Sequence, residues 1–153
     1  MIIFLDPRND GGSIVLNRKR IGSAAAVLGL TAAGTLAATG TAAAASYNGA
    51  CGSGYAVIDS KDVGEGNAFL TYNSSNGYNC VVTVTDTPGV ASYLRTNLRL
   101  HRTDTVWKYN EQDEGSYKYY AGPVYLSARN SCIDWGGAAA SNYTRIDYGV
   151  HCG

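Results

Sequence analysis

The stretch Ala68–Thr85, AFLTYNSSNGYNCVVTVT, decides the fold class. Ala68-Phe69-Leu70-Thr71-Tyr72 and Cys80-Val81-Val82-Thr83-Val84-Thr85 are short runs of β-branched and aromatic residues, which favour a pleated, packed surface. Between them Asn73-Ser74-Ser75-Asn76-Gly77 gathers turn formers, and Asn76-Gly77 supplies the positive φ angles of a tight turn. The two runs therefore predict a β-hairpin, which Thr87-Pro88-Gly89 closes.

Working outward, the same grammar repeats. Tyr55-Ala56-Val57-Ile58-Asp59 predicts a strand before the hairpin. From Leu94 to Arg102 the residues alternate, with Leu94, Thr96, Leu98 and Leu100 on one face and Arg95, Asn97, Arg99 and His101 on the other. That pattern predicts a half-buried strand with a wet outer face. Val106–Tyr109 and Tyr117–Ala121 flank the acidic run Glu111-Gln112-Asp113-Glu114-Gly115, which reads as the turn of a second hairpin. Val124, Leu126 and Ala128 follow Gly122-Pro123 on another strand, and Ile133 and Thr144–Tyr148 complete the set. No helical period of 3.6 survives beyond a turn. The chain is expected to be all-β, a small sandwich or barrel of about eight short strands.

Ahead of this domain the composition changes abruptly. All 12 Tyr, both Trp and all four Cys of the 153 residues lie after Ala45. Arg18-Lys19-Arg20 precedes an uncharged stretch from Ile21 to about Thr39, and Thr41-Ala42-Ala43-Ala44-Ala45 follows with small side chains only. A positive cluster, an apolar run and a small-residue tract are the three parts of a cleavable signal peptide. The reading divides the chain into a signal peptide over residues 1–45 and a secreted β domain over residues 46–153, with Ser46 or Tyr47, give or take a few residues, as the mature N-terminus. Gly22, Gly29, Gly34 and Gly40 dilute the apolar run and weigh against a retained membrane anchor. A conventional signal would begin at Val15, so translation is expected to start near residue 15, since GTG codons initiate chains as well as encode Val.

Residues 46–153 carry three Lys and five Arg against seven Asp and three Glu, a net charge of −2. This argues against nucleic-acid binding and disfavours polybasic membrane attachment, since both need a basic face. Cys51, Cys80, Cys132 and Cys152 form an even set in a small exported chain, the pattern of a disulfide framework with three possible connectivities. Cys51–Cys80 with Cys132–Cys152 is favoured, because each pair closes a short loop within one half of the domain. Each loop contributes roughly 3–4 kcal/mol by constraining the unfolded chain. A four-cysteine zinc site is disfavoured by the absence of any CxxC pair.

Four segments carry a resemblance. YNGACGSGY (Tyr47–Tyr55), FLTYNSSNGYNCVVTV (Phe69–Val84), YYAGPVYLSA (Tyr119–Ala128) and CIDWGG (Cys132–Gly137) resemble the spore-associated protein A family, small secreted proteins of mycelial, spore-forming actinobacteria. The resemblance covers nearly all of residues 46–153 and every cysteine, and departs in the charged stretch Arg99–Asp113. It implies export and association with spores or aerial growth, and it brings no enzymatic activity with it.

Candidate chemistry is sparse. His101 reads as a solvated strand residue, His151 as fixed beside Cys152, and Gly52-Ser53-Gly54 lacks the strand–elbow–helix context of a nucleophilic serine. With every cysteine paired no thiolate remains, so no catalytic residue and no enzyme activity is expected. Neither Asp59, Asp62 and Glu65 nor Asp113 and Glu114 have the ligand spacing of a calcium loop, and no metal or cofactor is expected. Aromatics are the stronger feature: Trp107, Tyr109, Tyr117, Tyr119, Tyr120, Tyr125 and Trp135 gather in the second half. Of these, Trp107, Tyr109, Tyr117, Tyr119, Tyr120 and Trp135 are the candidate binding surface, flat amphipathic rings suited to sugars or protein. The leading expectation is a non-catalytic protein of spore or hyphal surfaces whose partners are cell-surface components. The second is an extracellular binding module or protease inhibitor whose exposed rings dock cell-wall glycan or a secreted enzyme.

Overall fold

The two faces of one strand organise the molecule. In the computed structural model, which describes residues 44–140 and 143–153, Tyr78–Thr85 (β3) pairs antiparallel with Gly66–Asn73 (β2). The turn is the one the sequence predicts: Gly77 donates its N–H to the Asn73 carbonyl at 2.8 Å and adopts φ +79°. Cross-strand pairs share a face, so Leu70 and Val81 point to one side while Phe69 and Val82 point to the other. Both sides are buried, which is why β3 reads as a nearly continuous apolar run.

Ala56–Asp62 (β1) adds outside β2, and Tyr120–Ser127 (β6) adds outside β3, completing a sheet in the order β1-β2-β3-β6. The second sheet runs β5-β4-β7-β8, formed by Gln112–Tyr117 (β5), Ser92–Leu100 (β4), Ile133–Ala139 (β7) and Arg145–Val150 (β8). All neighbours are antiparallel. Eight strands in two sheets make the fold an all-β sandwich. Among the described residues no helix is long and apolar enough to cross a membrane. The expected signal segment, apart from Ala44 and Ala45, and the expected start near residue 15 lie outside the described residues.

The inner faces enclose a core that includes Leu70, Val81, Leu94, Leu98, Val124, Ile133 and Trp135. Burying one such side chain stabilises by about 1.5–3 kcal/mol. One polar layer crosses this core. Thr83 donates Oγ1–H to the Arg95 carbonyl at 2.9 Å, which leaves the Thr96 hydroxyl as the donor in their 2.6 Å contact. Gly137 stands directly opposite: a Cβ there would lie 2.3 Å from Thr83 Oγ1 and 2.6 Å from the Arg95 carbonyl oxygen. Glycine is what lets the sheets approach at this layer.

The outer face of the first sheet is covered by the segment leading into β1. Tyr47 and Tyr55 pack over Phe69 and Val82, and the Cys51–Cys80 disulfide pins the segment to β3. Tyr125 closes the patch, its ring 5.6 Å from Tyr55 and its hydroxyl donating to the Cys51 carbonyl at 3.1 Å. The second disulfide, Cys132–Cys152, ties the entrance of β7 to the segment after β8. Both expected pairings are therefore present.

Two local expectations are corrected. The acidic run Glu111–Gly115 is not a hairpin turn, because residues 112–117 form β5 against β4. Arg95 supplies the counter-charge: its Nε donates to Glu114 at 2.6 Å and its Nη2 pairs with the same carboxylate, while Tyr93 donates its hydroxyl there at 2.6 Å. The long connection falls instead on residues 101–111, which include Val106–Tyr109 and end in a 3-10 turn, Tyr109–Glu111. Nor is the outer face of β4 wet throughout, since Asn97 and Arg99 are fully buried. The connection folds back over that face around Arg99.

Candidate functional site

Arg99 and Asp134 are partners across the β4–β7 ladder, on the outer face of the second sheet. The Arg99 Nε donates to Asp134 Oδ2 at 2.8 Å. Oδ1 of the same carboxylate lies 2.7 Å from His101 Nδ1 and accepts the Gly149 N–H at 2.9 Å. Burial alone would push the Asp134 carboxyl up, but the hydrogen bonds from His101, Gly149 and Arg99 outweigh it and hold the group below the usual carboxylate range. An ionised carboxylate only accepts, so at this distance it fixes a proton on Nδ1 and turns Nε2 away from Asp134.

The rest of the Arg99 guanidinium organises the connection. Nη1 donates to the Val106 carbonyl at 2.8 Å, Nη2 to the Asp104 carbonyl at 2.6 Å, and the Trp107 ring stacks 4.3 Å from the guanidinium carbon. Arg102 clamps the same loop from outside, donating to both oxygens of Glu111 at 2.6 and 2.7 Å and to Asp104 at 3.0 Å. The hydrogen bonds from Arg102 hold the carboxyls of Glu111 and Asp104 below their ordinary values. Glu111 also accepts the Lys108 N–H at 2.8 Å, which caps the 3-10 turn.

Beside His101 a groove of about 330 Å³ opens between Leu100, Lys108, Asn110, Tyr125 and Leu126. An Asp–His pair with a free Nε2 is the orienting half of a general-base arrangement. Among the described residues no hydroxyl or thiol hydrogen-bonds to that Nε2, and all four cysteines are disulfide-bonded. The described geometry makes His101 an anchor of the loop over Asp134.

The six candidate aromatics do not form one platform. Trp107 is half-buried on Arg99, while Tyr109 next to it is 96% exposed. Tyr117 packs against the core and donates its hydroxyl to Asp113 at 2.8 Å, a bond that raises its phenol above the usual range. Tyr119 lies in the β5–β6 connection, and Tyr120 is opposite Val84, on the outer face of the first sheet. Trp135 is 0% exposed between the sheets and leaves the surface set. The acidic candidates diverge as well. Asp59 pairs with His151 at 2.9 Å and Asp62 with Arg145 at 3.2 Å, while Asp113 accepts the Gly122 N–H at 2.6 Å and Glu114 turns to Arg95.

Sequence reasoning missed the Arg99–Asp134–His101 network. Alternation did place Arg99 and His101 on one face, but Asp134 joins them only through the long-range register of β7 on β4. A shallow groove of about 750 Å³ was also missed. It lies where β1 meets β8 and is lined by Lys61, Asp62 and Tyr143–Tyr148.

Comparison with known proteins gives one informative result. The chain is 44% identical over 134 residues to spore-associated protein A of Streptomyces coelicolor, covering 87% of this chain and 83% of that protein. No family model matches the chain, and no solved structure matches it.

Proposed function

The chain belongs to the spore-associated protein A family, and from that premise we propose that it is an exported, non-catalytic protein that adheres to spore and hyphal surfaces. The observation that carries the proposal is the extent of the relationship, 87% of the chain aligned with a protein named for its association with spores. The geometry supports a structural rather than a chemical role. His101 and Asp134 are engaged in holding the loop at residues 101–111, and the exposed tyrosines are spread over both sheets instead of converging on one pocket. Two disulfides suit a small domain that works outside the cell. The test is fractionation of a sporulating culture followed by immunodetection. The protein is expected on spores and aerial hyphae and to be extracted only by denaturant; recovery solely from the medium would reject adhesion.

A second reading, a glycan-binding module, is favoured by the β1–β8 groove. There the exposed Tyr148 lines the groove together with the paired charges Lys61–Asp147 and Asp62–Arg145. A ring face next to fixed hydrogen-bonding groups is the chemistry that holds a sugar. Pull-down on peptidoglycan, chitin and β-glucan tests it, and retention on none of them removes this reading. Inhibition assays against secreted proteases test the remaining form of the binding-module reading.

A further inference from the structure

The small-residue tract leaves the processing point open. Cuts after Ala44 and after Ala45 both place alanine at the last and third-last positions of the leader, so the pattern alone does not choose between them. The folded domain does distinguish them. The Ala45 N–H donates to Asp86 Oδ1 at 2.6 Å, a contact between residues 41 apart in sequence. Asp86 is half-buried at the end of the β2–β3 unit and accepts no other hydrogen bond among the described residues. Ala44, one residue earlier, is exposed. From there the segment is committed to the first sheet: Tyr47 packs on Phe69, its hydroxyl accepts the Cys51 N–H at 3.3 Å, and Cys51 is bonded to Cys80.

We propose that the Ala44–Ala45 peptide bond is the processing site of this chain and that the α-ammonium released on Ala45 docks on the Asp86 carboxylate. The proposal rests on the export reading above and names the one atom pair that completes it. The step is a hydrolysis by a signal peptidase with water as co-reactant. The bond between the Ala44 carbonyl carbon and the Ala45 nitrogen breaks, and the water oxygen joins the carbon as the new carboxylate. Its two protons join the nitrogen's own to make the ammonium. A peptide N–H already occupies the Asp86 oxygen, and replacing it by an ammonium turns a neutral hydrogen bond into a charge-assisted one at the same place. A cut one residue later would remove the nitrogen that donates to Asp86. A cut one residue earlier would put the charge a residue away from the carboxylate.

The experiment expresses the full chain in a host with Sec export, then measures the intact mass and N-terminal sequence of the exported product. Thermal unfolding is then compared for wild type and Asp86→Asn. The expected product begins at Ala45, and D86N is expected to lower the melting midpoint by about 2–5 °C. A product beginning at Ser46 or elsewhere overturns the inference while leaving export standing, whereas an uncleaved chain rejects export itself. A product beginning at Ala45 whose midpoint is indifferent to D86N overturns the docking of the ammonium. Should the variant not accumulate, transamination of the wild-type α-amine to a carbonyl removes the same charge and leaves the lysines untouched. It is expected to lower the midpoint equally, and no change overturns the proposal.

Discussion

Arg99 and Asp134 meet across β4 and β7 with neither side chain reaching solvent, their Nε and Oδ2 2.8 Å apart. A buried pair of this kind adds little net stability compared with a well-packed apolar pair, yet it is costly to break from one side. Its value here is positional, because the other guanidinium donors hold the carbonyls of Asp104 and Val106 and so fix where the 101–111 connection lies.

Replacing Asp134 with Asn should therefore destabilise the domain by about 3–5 kcal/mol, leaving the guanidinium without its buried counter-charge and with only the exposed Asp104 carboxylate, 3.5 Å from Nη1. The double variant Arg99→Met with Asp134→Leu should recover most of that loss. It should nevertheless release the connection, seen as faster proteolysis between residues 101 and 108. Urea unfolding measures the first effect and limited proteolysis the second.

Acid should weaken the fold in a defined direction. Asp134, Glu111 and Glu114 are all held below their ordinary carboxyl values in the folded state. The unfolded chain consequently takes up protons first as pH falls. Their contribution is complete above about pH 5 and disappears progressively as pH drops through and below about 4. The slope of stability against pH between about 5 and 2 should be shallower in Asp134→Asn than in wild type, as read by urea unfolding across that range.

Cys51 anchors the segment that covers the outer face of β3. A Cys51→Ser, Cys80→Ser double variant should lose roughly 3–4 kcal/mol. It should also bind an apolar dye such as ANS while still folded, since Phe69 and Val82 lose their lid. Removal of Cys132–Cys152 should destabilise without increasing dye binding, because among the described residues neither of these cysteines belongs to a buried apolar cluster, as Cys51 and Cys80 do.

Gly137→Ala should cost about 1–3 kcal/mol despite adding a single methyl. The new Cβ meets Thr83 Oγ1 and the Arg95 carbonyl oxygen, and the second of these is backbone that cannot turn aside. Calorimetric unfolding of this variant, beside Gly49→Ala, where nothing stands within 4 Å of the new atom, separates crowding from the conformational cost of replacing glycine.

What could be read from the sequence is what short-range chemistry determines. The Asn73–Gly77 turn and the two flanking runs specify their hairpin locally, and cysteines close in sequence pair as their spacing suggests. Strand β5 was hidden because Glu114 looks like turn material until Arg95, 19 residues away, neutralises it. Arg99 was read as solvated for the same reason: its partner Asp134 and its cover Trp107 arrive through tertiary packing. Trp135 could not be told from a surface ring by composition, since strands favour tryptophan on either face. The network around Asp134 depends on register, which period-2 alternation constrains but does not specify between distant strands.

The ion pairs Lys61–Asp147 and Asp62–Arg145 and the Asp59–His151 hydrogen bond all stand where β1, one sheet's free margin, faces β8, the other's, and the segment beyond it. An unpaired strand margin is a template on which a second copy can extend the sheet, and charge placed there makes that joining unfavourable. Copies concentrated side by side would thus resist zipping into fibrils through this margin. Crowding would leave them separate units that pack densely and still come apart.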